Sequence, residues 1–264
     1  MKEYFDTNRD LWDRLAEINS KSAFYDLEGF KAGESSLSPV ELEEVGEVAG
    51  RSLLHLQCHF GMDTLSWARL GAKVTGVDFS EEAIRLAREL AGGLNIDARF
   101  VRSNIYDLPE ALDDRFDVVF TSYGVLSWLP DLKRWAKVAS HFLKPGGTFY
   151  IIEFHPFVYM LDDEKGDRFQ FPYFHSPDPL VLETDGSYAD RSADLSHTEY
   201  SWIHSLSDVI NALIEAGLKL EYVREFPFSA HDCFKFVEET APRQFKIKGR
   251  SVDVPMMFSI RATK

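Results

Sequence analysis

Polar side chains that could bind a ligand or take part in catalysis cluster in one stretch of the sequence, between Ser52 and Ser80. The run from Ser52 to Leu56 has the length and apolarity of a buried parallel strand, and Lys73 to Val77 is a second such run, followed by Asp78. Between the two runs, Asp63 to Leu70 has the spacing of an amphipathic helix. The turn after the first strand presents backbone N–H groups to a ligand, and a carboxylate at the same sheet edge suits a ribose diol. The pattern predicts a nucleoside-containing cofactor.

Three histidines are candidates for acid–base chemistry, because the pKa of an unperturbed imidazole lies close to neutral pH. His155 directly follows the fifth predicted strand and precedes Pro156, and His204 opens a later helix. His59 lies inside the turn after the first strand and suits ligand binding better than proton transfer. For each of the three, a structural role in packing is the alternative.

Metal binding and nucleophilic catalysis have weaker sequence support. Glu153, Asp162 and His175 lie near His155 in the sequence, but no H-x3-H or similar ligand spacing occurs. No G-x-S-x-G element marks a nucleophilic serine. Cys58, beside the turn, is predicted to be a packing residue. We therefore expect no metal site.

The composition of the chain limits its class. Its 264 residues, 45% of them hydrophobic and 14% aromatic, suit one large α/β domain or a domain with a cap. A net charge of −14 argues against a nucleic-acid partner, because no basic surplus exists to neutralise phosphates. Two cysteines provide no disulfide framework, and no apolar leader or long apolar run is found. We expect a cytoplasmic protein that does not associate with a membrane.

Periodicity and capping signals predict the remaining elements. A first helix is predicted from Glu3 to Asn19, and a second begins at Pro39 with Ser38 in a capping box. Ser80 caps a further helix that Gly92-Gly93 is expected to end. Further strands are predicted at Ala98 to Val101, Arg115 to Ser122, the run after Lys144 to Gly147, Leu218 to Phe226 and Met256 to Ala262, the last one antiparallel or at an edge.

The segment from His155 to Ile203 lacks this periodicity and is rich in proline and aromatic residues. Long loops of this kind are usually lids or binding loops, and the aromatic content argues against disorder. We predict an insertion that covers a substrate, with a hairpin around Glu183 to Tyr188. A helix follows from Ser205 to Gly217, and Ser207 is predicted to cap it.

Four pieces of sequence in this order resemble the class I S-adenosylmethionine-dependent methyltransferases: the strand and turn up to Gly61, Asp78, Asn104 to Pro109, and the Lys-Pro-Gly-Gly turn at Lys144 to Gly147. The first motif of that family usually reads acidic-x-Gly-x-Gly-x-Gly. This chain has His55, Gln57, His59 and Gly61 at those four places. The loop must therefore carry two polar side chains close to the cofactor.

The resemblance implies an α/β fold with a Rossmann-like, doubly wound, mostly parallel seven-stranded sheet and helices on both faces. It also implies an N-terminal helical cap and an insertion after the fifth strand. We predict one methyltransferase domain over residues 1–264. Its parts are the cap (1–50), the cofactor-binding core (51–154), the substrate-covering insertion (155–204) and the C-terminal part of the sheet (205–264).

The resemblance also assigns roles to individual residues. The residues expected to bind the cofactor are Tyr25, Gln57, His59, Gly61, Asp78, Phe79, Asn104, Ile105 and Ser122. Asn104 stands where an acidic residue is common, and its side-chain oxygen is expected to bond the adenine amine. Tyr123 is expected at the reacting centre, where His155 or His204 would act as the base.

The implied activity is transfer of a methyl group from S-adenosylmethionine, with S-adenosylhomocysteine as product, to an O, N or C atom of a small molecule. Such an in-line displacement depends mainly on positioning. We expect an acceptor that is aromatic or amphipathic, and a monomer or homodimer. Three alternatives remain: a non-catalytic protein that binds the same cofactor, an NAD(P)-dependent oxidoreductase, and a protein or peptide methyltransferase. The G-x-G-x-x-G signature that an NAD(P)-dependent enzyme of this fold needs is absent from this chain.

Overall fold

The computed structural model describes residues 1–264, which form helices and strands along the whole chain. The helices are α1 (Lys2–Asn19), α2 (Leu27–Ala32), α3 (Pro39–Val45), α4 (Met62–Arg69), α5 (Glu81–Leu94), α6 (Leu108–Ala111), α7 (Leu132–Phe142) and α8 (Leu206–Glu215). The strands are β1 (Ser52–Leu56), β2 (Lys73–Asp78), β3 (Ala98–Arg102), β4 (Phe116–Ser122), β5 (Leu143–Phe154), β6 (Leu180–Asp185), β7 (Ser196–Ser201), β8 (Lys219–Phe226), β9 (Val237–Ala241), β10 (Gln244–Ile247) and β11 (Met257–Thr263).

Seven strands form one sheet in the order β3-β2-β1-β4-β5-β11-β8. β1 to β5 pair in parallel, and β11 is antiparallel to both of its neighbours. This confirms the predicted fold class. The alternative that the last strand lies at an edge is wrong: β11 is buried between β5 and β8, and β8 is the edge strand. The reason is visible in burial, since Phe258 and Ile260 of β11 are fully buried whereas β8 alternates between half-buried and exposed residues.

Helices cover both faces of the sheet. Trp135 of α7 is buried against one face and Trp67 of α4 is buried against the other. Alternate residues of β5 divide between the two layers, with Phe149 on the α7 side and Tyr150 on the α4 side. This alternation follows from the two-residue period of a strand. Both sides of the parallel strands are thereby removed from water.

The end of α5 differs from the prediction. The helix passes through Gly92 and Gly93 and ends at Asn95, which adopts a left-handed φ of 54°. A methyl group at either glycine would meet no atom within 4 Å, so this side of the helix faces open space. Two glycines weaken a helix without ending it, and Asn is the other residue that tolerates the left-handed cap.

Two capping boxes fix the starts of short helices. The predicted box at α3 is confirmed, with the Ser38 hydroxyl and the Glu41 carboxylate each accepting from the other's backbone N–H. The cap of α8 is Ser205 and not the predicted Ser207, because the Asp208 carboxylate accepts from the Ser205 backbone N–H at 2.9 Å. The cap therefore lies two residues earlier than predicted, and it forms a capping box that was not predicted.

The insertion contains the antiparallel hairpin β6–β7, which is wider than predicted because residues 186–195 form its loop. This hairpin rests on α1. The Asn8 side chain donates to the Tyr200 carbonyl at 2.8 Å and accepts from the Tyr200 N–H at 3.0 Å. A second hairpin, β9–β10, and the short helix α2 were not predicted. None of the helices combines the length and apolarity needed to cross a membrane.

Gly61, the one glycine left of the first motif, is required by packing. It has a φ of +84°, and a Cβ there would lie 2.8 Å from the ring of Phe100 and 3.0 Å from the Ala87 Cβ. Its missing side chain lets the loop after β1 lie directly against β3 and α5. Close approach of the backbone is thus explained within the protein.

Gly61→Ala is expected to lower the free energy of unfolding by about 2 kcal/mol, because the methyl group overlaps Phe100 and the φ value is unfavourable. The matched control is Gly92→Ala in α5, which meets no atom and is expected to raise stability by about 0.5–1 kcal/mol. Urea unfolding of both variants measures the two changes. Equal stability of Gly61→Ala and the unaltered protein would contradict this packing explanation.

Candidate functional site

The loop after β1 is held by the carboxylate of Asp78. Gln57, His59 and Gly61 adopt left-handed φ values of 57°, 51° and 84°. The Asp78 carboxylate accepts from the backbone N–H of His59 at 2.8 Å and from that of Ser80 at 2.9 Å. One buried side chain at the end of β2 therefore joins the loop after β1 to the start of α5.

Two polar atoms of this loop are buried without a partner in the protein. The Gln57 amide nitrogen donates to the Val125 carbonyl at 3.1 Å, while its Oε1 has no donor. The Asn19 amide lies 3.3 Å from His59 Nε2 and donates to it, which leaves the proton of a neutral ring on Nδ1, and Nδ1 has no acceptor. Unpaired buried groups cost free energy, so a polar ligand with a donor and an acceptor would stabilise this loop.

Burial sets the charges of this region. It lowers the pKa of His59 to about 3 and that of His55 to about 4, so both imidazoles are neutral at pH 7. His55, which stands where the family has an acid, has its Nδ1 2.9 Å from Thr64 Oγ1. Burial also raises the pKa of Asp78 to about 6, partly opposed by the backbone N–H groups it accepts from. Asp78 therefore remains ionised at neutral pH while His55 and His59 are uncharged.

Aromatic side chains from the cap and the insertion meet over the loop. The Tyr25 ring lies 5.6 Å from the His59 ring and 4.7 Å from the Phe60 ring, measured between centroids. Its hydroxyl is hydrogen-bonded to that of Tyr188, in the loop between β6 and β7. Trp12 of α1 packs edge-on against His59 at 5.3 Å. The predicted cofactor residue Tyr25 is thus brought to the loop that contains His59.

Asn19, at the end of α1, ties these parts together and was not singled out from the sequence. It is fully buried. Its Oδ1 accepts from Ser187 Oγ at 2.6 Å, and its amide donates to the Tyr188 hydroxyl at 3.1 Å as well as to His59. One side chain therefore links α1, the insertion and the loop after β1. No local sequence signal distinguishes it from other polar residues in a helix.

The segment after β3 lies at the same sheet edge. Asn104 Oδ1 accepts from the Tyr106 N–H at 3.0 Å and caps the turn that begins at Ile105. The bond predicted from this oxygen to an adenine amine would have to share it with Tyr106. Ile105 is buried, and Phe79, which follows Asp78, is half-buried.

A second buried carboxylate, that of Glu153 at the end of β5, positions the loop after β4. It accepts from the three successive backbone N–H groups of residues 124–126, at 2.8 Å from Val125 N and 3.1 Å from Leu126 N, and from the Phe154 N–H. Burial nevertheless raises the pKa of Glu153. From the sequence alone, Glu153 is a candidate only as a metal ligand. An acid inside the apolar run of β5 is the one signal that could have marked it.

Tyr123, the first residue of that loop, has a left-handed φ of 32°. Its hydroxyl donates to Glu41 Oε2 at 3.2 Å and lies 3.3 Å from Ser38 Oγ. The preceding Ser122 hydroxyl donates to Asp63 at 3.2 Å. The predicted residues Ser122 and Tyr123 therefore lie next to two carboxyl groups that come from α3 and α4.

His155 and His204 form no side-chain hydrogen bond with the site residues described above. The Nδ1 of His155 accepts from the Phe157 N–H at 3.0 Å, and its Nε2 pairs with Glu225 of β8 at 3.0 Å. The Nε2 of His204 donates to the Leu129 carbonyl at 2.6 Å, and its ring stacks on His175. Both nitrogens of His155 are thus already hydrogen-bonded or ion-paired. The roles of His155 and His204 as bases stay predictions.

Part of the chain is similar to known proteins. Residues 53–147 match the family described as a methyltransferase domain. The core of this chain therefore resembles a methyltransferase domain over those residues. A ubiquinone biosynthesis O-methyltransferase of Xanthomonas euvesicatoria pv. vesicatoria (strain 85-10) is 32% identical over 144 residues, which cover 53% of this chain. The chain spans only 58% of that relative's length.

Solved structures share the fold of this chain. An S-adenosylmethionine-dependent methyltransferase from Mesorhizobium loti covers 89% of this chain and is covered completely, with a TM-score of 0.57 and 22% identity. The glycopeptide N-methyltransferase MtfA, solved with S-adenosylmethionine, covers 83% of this chain and is itself 89% covered, with a TM-score of 0.55 and 19% identity.

The unpaired atoms of the loop after β1 fit S-adenosylmethionine, the cofactor of the methyltransferases that this chain resembles. The Nδ1–H of His59 suits the carboxylate of the methionine part, and Gln57 Oε1 suits its amino group. The ionised Asp78 suits the hydroxyls of the ribose. The two side chains that replace family glycines therefore supply one donor and one acceptor.

Glu153→Gln is expected to lower the free energy of unfolding by about 2 kcal/mol, because an amide group turns N–H donors toward the N–H groups of residues 124–126. Glu225→Gln makes the same chemical change at a side chain that is 54% exposed, and should cost less than about 1 kcal/mol. Urea unfolding at pH 7 compares the two. If both variants lose equal stability, the buried carboxylate does not anchor the loop after β4.

Proposed function

We propose that the protein transfers a methyl group from S-adenosylmethionine to an O, N or C atom of a small molecule. The observation that carries the proposal is the buried Asp78 carboxylate beside the unpaired polar atoms of Gln57 and His59, within a methyltransferase domain. When bound, S-adenosylmethionine supplies a methyl group on a positively charged sulfur, and S-adenosylhomocysteine remains. The residues of this chain hold the two reactants in position.

Each proposed cofactor residue has a distinct task. Asp78 accepts hydrogen bonds from the ribose, and Gln57 and His59 bind the amino-acid part. The adenine lies against the segment after β3, where the Asn104 amide nitrogen and the Ile105 N–H are its proposed partners. The remaining residues of the proposed set are Tyr25, Gly61, Phe79 and Ser122.

We propose a small aromatic acceptor. Aromatic rings continue from the cofactor loop toward the C-terminal segment without a break in contact. Those around this region are Phe24, Tyr25, Tyr123, Phe154, Tyr188, His231 and Phe234. The curated relative is an O-methyltransferase, which favours oxygen as the acceptor atom. The net charge of −14 disfavours nucleic acid as substrate.

The proposal extends to the organisation of the chain. Segments 1–50 and 155–204 act as a cap and a substrate-covering insertion on one methyltransferase domain, supported by the contacts of Asn19 and Tyr188. The protein works in the cytoplasm, as a monomer or homodimer. The free cysteines Cys58 and Cys233 are consistent with a reducing compartment.

The first test is thermal unfolding with S-adenosylmethionine, S-adenosylhomocysteine, NAD and NADP, each added separately. A ligand that binds only the folded protein adds about 2.7 kcal/mol of stability at 100 times its Kd. We expect stabilisation by the first two ligands and none by the dinucleotides. Stabilisation by a dinucleotide alone would contradict the proposal. Binding without any methylated product would favour the non-catalytic alternative.

Asp78→Asn tests the ribose contact through pH. The pKa of about 6 is raised above the ordinary value of 3.8, so in the unliganded protein Asp78 loses its proton as the pH rises through 6. Because ribose hydroxyls donate to the ionised form, S-adenosylhomocysteine affinity should fall as the pH is lowered through 6. The variant should bind about 10- to 100-fold more weakly at pH 7.5 and lack this pH dependence.

Isothermal titration of S-adenosylhomocysteine from about pH 5 to about pH 8 measures both effects, because this range spans the pKa of Asp78. The control is Asp97→Asn, an exposed carboxylate before β3. Its affinity should match that of the unaltered protein at each pH. A folded Asp78→Asn variant with unchanged affinity would place the ribose elsewhere.

A further inference from the structure

We propose that His231 accepts the proton of the methyl acceptor, and that this acceptor is an aromatic molecule with an ionisable hydroxyl group. The inference rests on the methyl transfer proposed above. It adds the route of the proton and the chemical class of the substrate, and it concerns a residue that the sequence did not single out.

The position of His231 is fixed by the fold. It lies in the segment between β8 and β9, where the Ser229 hydroxyl donates to the His231 carbonyl at 2.7 Å and accepts from the His231 N–H at 3.2 Å. Ser229 is completely buried and exchanges two backbone hydrogen bonds of 2.8 Å with Phe245 of β10. The unpredicted β9–β10 hairpin therefore holds the imidazole in a defined place.

The ring of His231 faces the loop after β4. Its centroid lies 4.5 Å from that of Tyr123, with the rings nearly perpendicular, and 6.0 Å from that of Phe24. Tyr123 follows Ser122 at the carboxyl end of β4, which is the edge that also carries Asp78. His231 is thus the imidazole that the C-terminal segment adds to the candidate site.

Among the eight histidines, only His141 and His231 have no hydrogen bond from a ring nitrogen. His141 lies in the last turn of α7 near Asp113 and Arg115, which precede β4 and so mark the opposite edge of the sheet. His231 is half-buried near the sheet edge that carries Asp78, and both of its ring nitrogens are unpaired. It therefore has a lone pair available for a ligand.

The groups around His231 keep its imidazole neutral, with a free lone pair, until a ligand binds. Burial, with a further contribution from Arg243 in the β9–β10 turn, lowers its pKa to about 4, while Asp63 of α4 acts in the opposite direction. The imidazole is therefore neutral at pH 7 before a ligand binds. Glu41 of α3 is engaged by the Tyr123 hydroxyl. A proton that reaches His231 creates a cation, and Asp63 offsets part of its cost.

Aromatic rings adjoin His231 through Tyr123 and Phe24. Tyr123 contacts Phe154 at 5.8 Å, and Phe154 contacts Phe234 at 5.1 Å, between ring centroids. Edge-to-face and offset contacts of this kind favour a flat aromatic guest. A hydroxyl on that guest is a poor nucleophile until it loses its proton, whereas a neutral amine already has a lone pair to offer. A neutral imidazole at this place favours the hydroxyl.

In the proposed step, the proton moves from the acceptor oxygen to the imidazole of His231. The O–H bond of the acceptor breaks, and the lone pair of a His231 ring nitrogen forms the new N–H bond. The electron pair of the O–H bond stays on the acceptor oxygen, which is therefore neutral after it has taken up the methyl group. The imidazolium then returns its proton to water.

The test uses 4-nitrocatechol, whose absorbance distinguishes the phenol from the phenolate. It is titrated across pH into protein saturated with S-adenosylhomocysteine, so that no methyl group is transferred. The bound probe should ionise at least about tenfold more readily than the free probe, because the phenolate raises the pKa of the adjacent His231 and the resulting ion pair stabilises both charges. His231→Gln should still bind the probe but lose this enhancement.

Controls separate the possible failures. His231→Asn serves as a second variant, and both variants must bind S-adenosylhomocysteine as the unaltered protein does. His141→Gln should leave the spectra unchanged. Equal ionisation of the probe in His231→Gln and the unaltered protein overturns the role of His231, and loss of the enhancement in His155→Gln instead would assign the base to His155.

Failure of the methyl-transfer proposal itself gives a different result. If S-adenosylhomocysteine does not bind, the function proposed above is wrong. If it binds and 4-nitrocatechol does not, the cofactor assignment stands and the hydroxylated aromatic acceptor is rejected.

Discussion

The buried Asp78 carboxylate accepts hydrogen bonds from backbone N–H groups. The edge of the sheet where the parallel strands have their carboxyl ends depends on this constraint. The parallel strands end here, and the turns that follow leave N–H groups without partners in the sheet. Buried groups of this kind must be paired, and one carboxylate pairs those of His59 and Ser80. Glu153 repeats the arrangement for residues 124–126 after β4. Two acids at strand ends thereby determine the shape of both loops that border the site.

This constraint explains how the chain departs from the glycine-rich pattern of the methyltransferases it resembles. Left-handed backbone is usually reserved for glycine, yet Gln57 and His59 adopt it. The Gln57 amide holds Val125, and the His59 backbone is fixed by Asp78, so the strain is offset by hydrogen bonds. The remaining polar atoms, Gln57 Oε1 and His59 Nδ1, are buried and unpaired. The loop therefore has two polar side chains in place of flexible glycines, and each side chain keeps one polar atom free for a ligand.

The cap, the insertion and the C-terminal hairpin are coupled through this same edge. Asn8 and Asn19 of α1 bind the insertion at two points, and Asn19 also reaches His59. From the other side, the segment before β9 brings His231 against Tyr123. Three parts of the chain that are far apart in sequence therefore enclose the region next to the cofactor loop. Under the proposed function, these three segments contact the substrate and the end of the sheet binds the cofactor.

The sequence by itself determined the parallel core, the order of its elements, Asp78 and the capping box at Ser38, because apolar periodicity, caps and strand-end acids are local patterns. It also predicts Gln57 and His59 to lie near the cofactor, through their position in a known motif. Only the tertiary structure decided that Gly61 packs against Phe100, that β11 lies inside the sheet, and that Glu153, Asn19 and His231 border the site. These outcomes depend on contacts between residues more than 25 positions apart in the chain, such as Asn19 with His59 and Glu153 with Gly124. No periodicity or cap encodes such a contact, since the partner is chosen by packing.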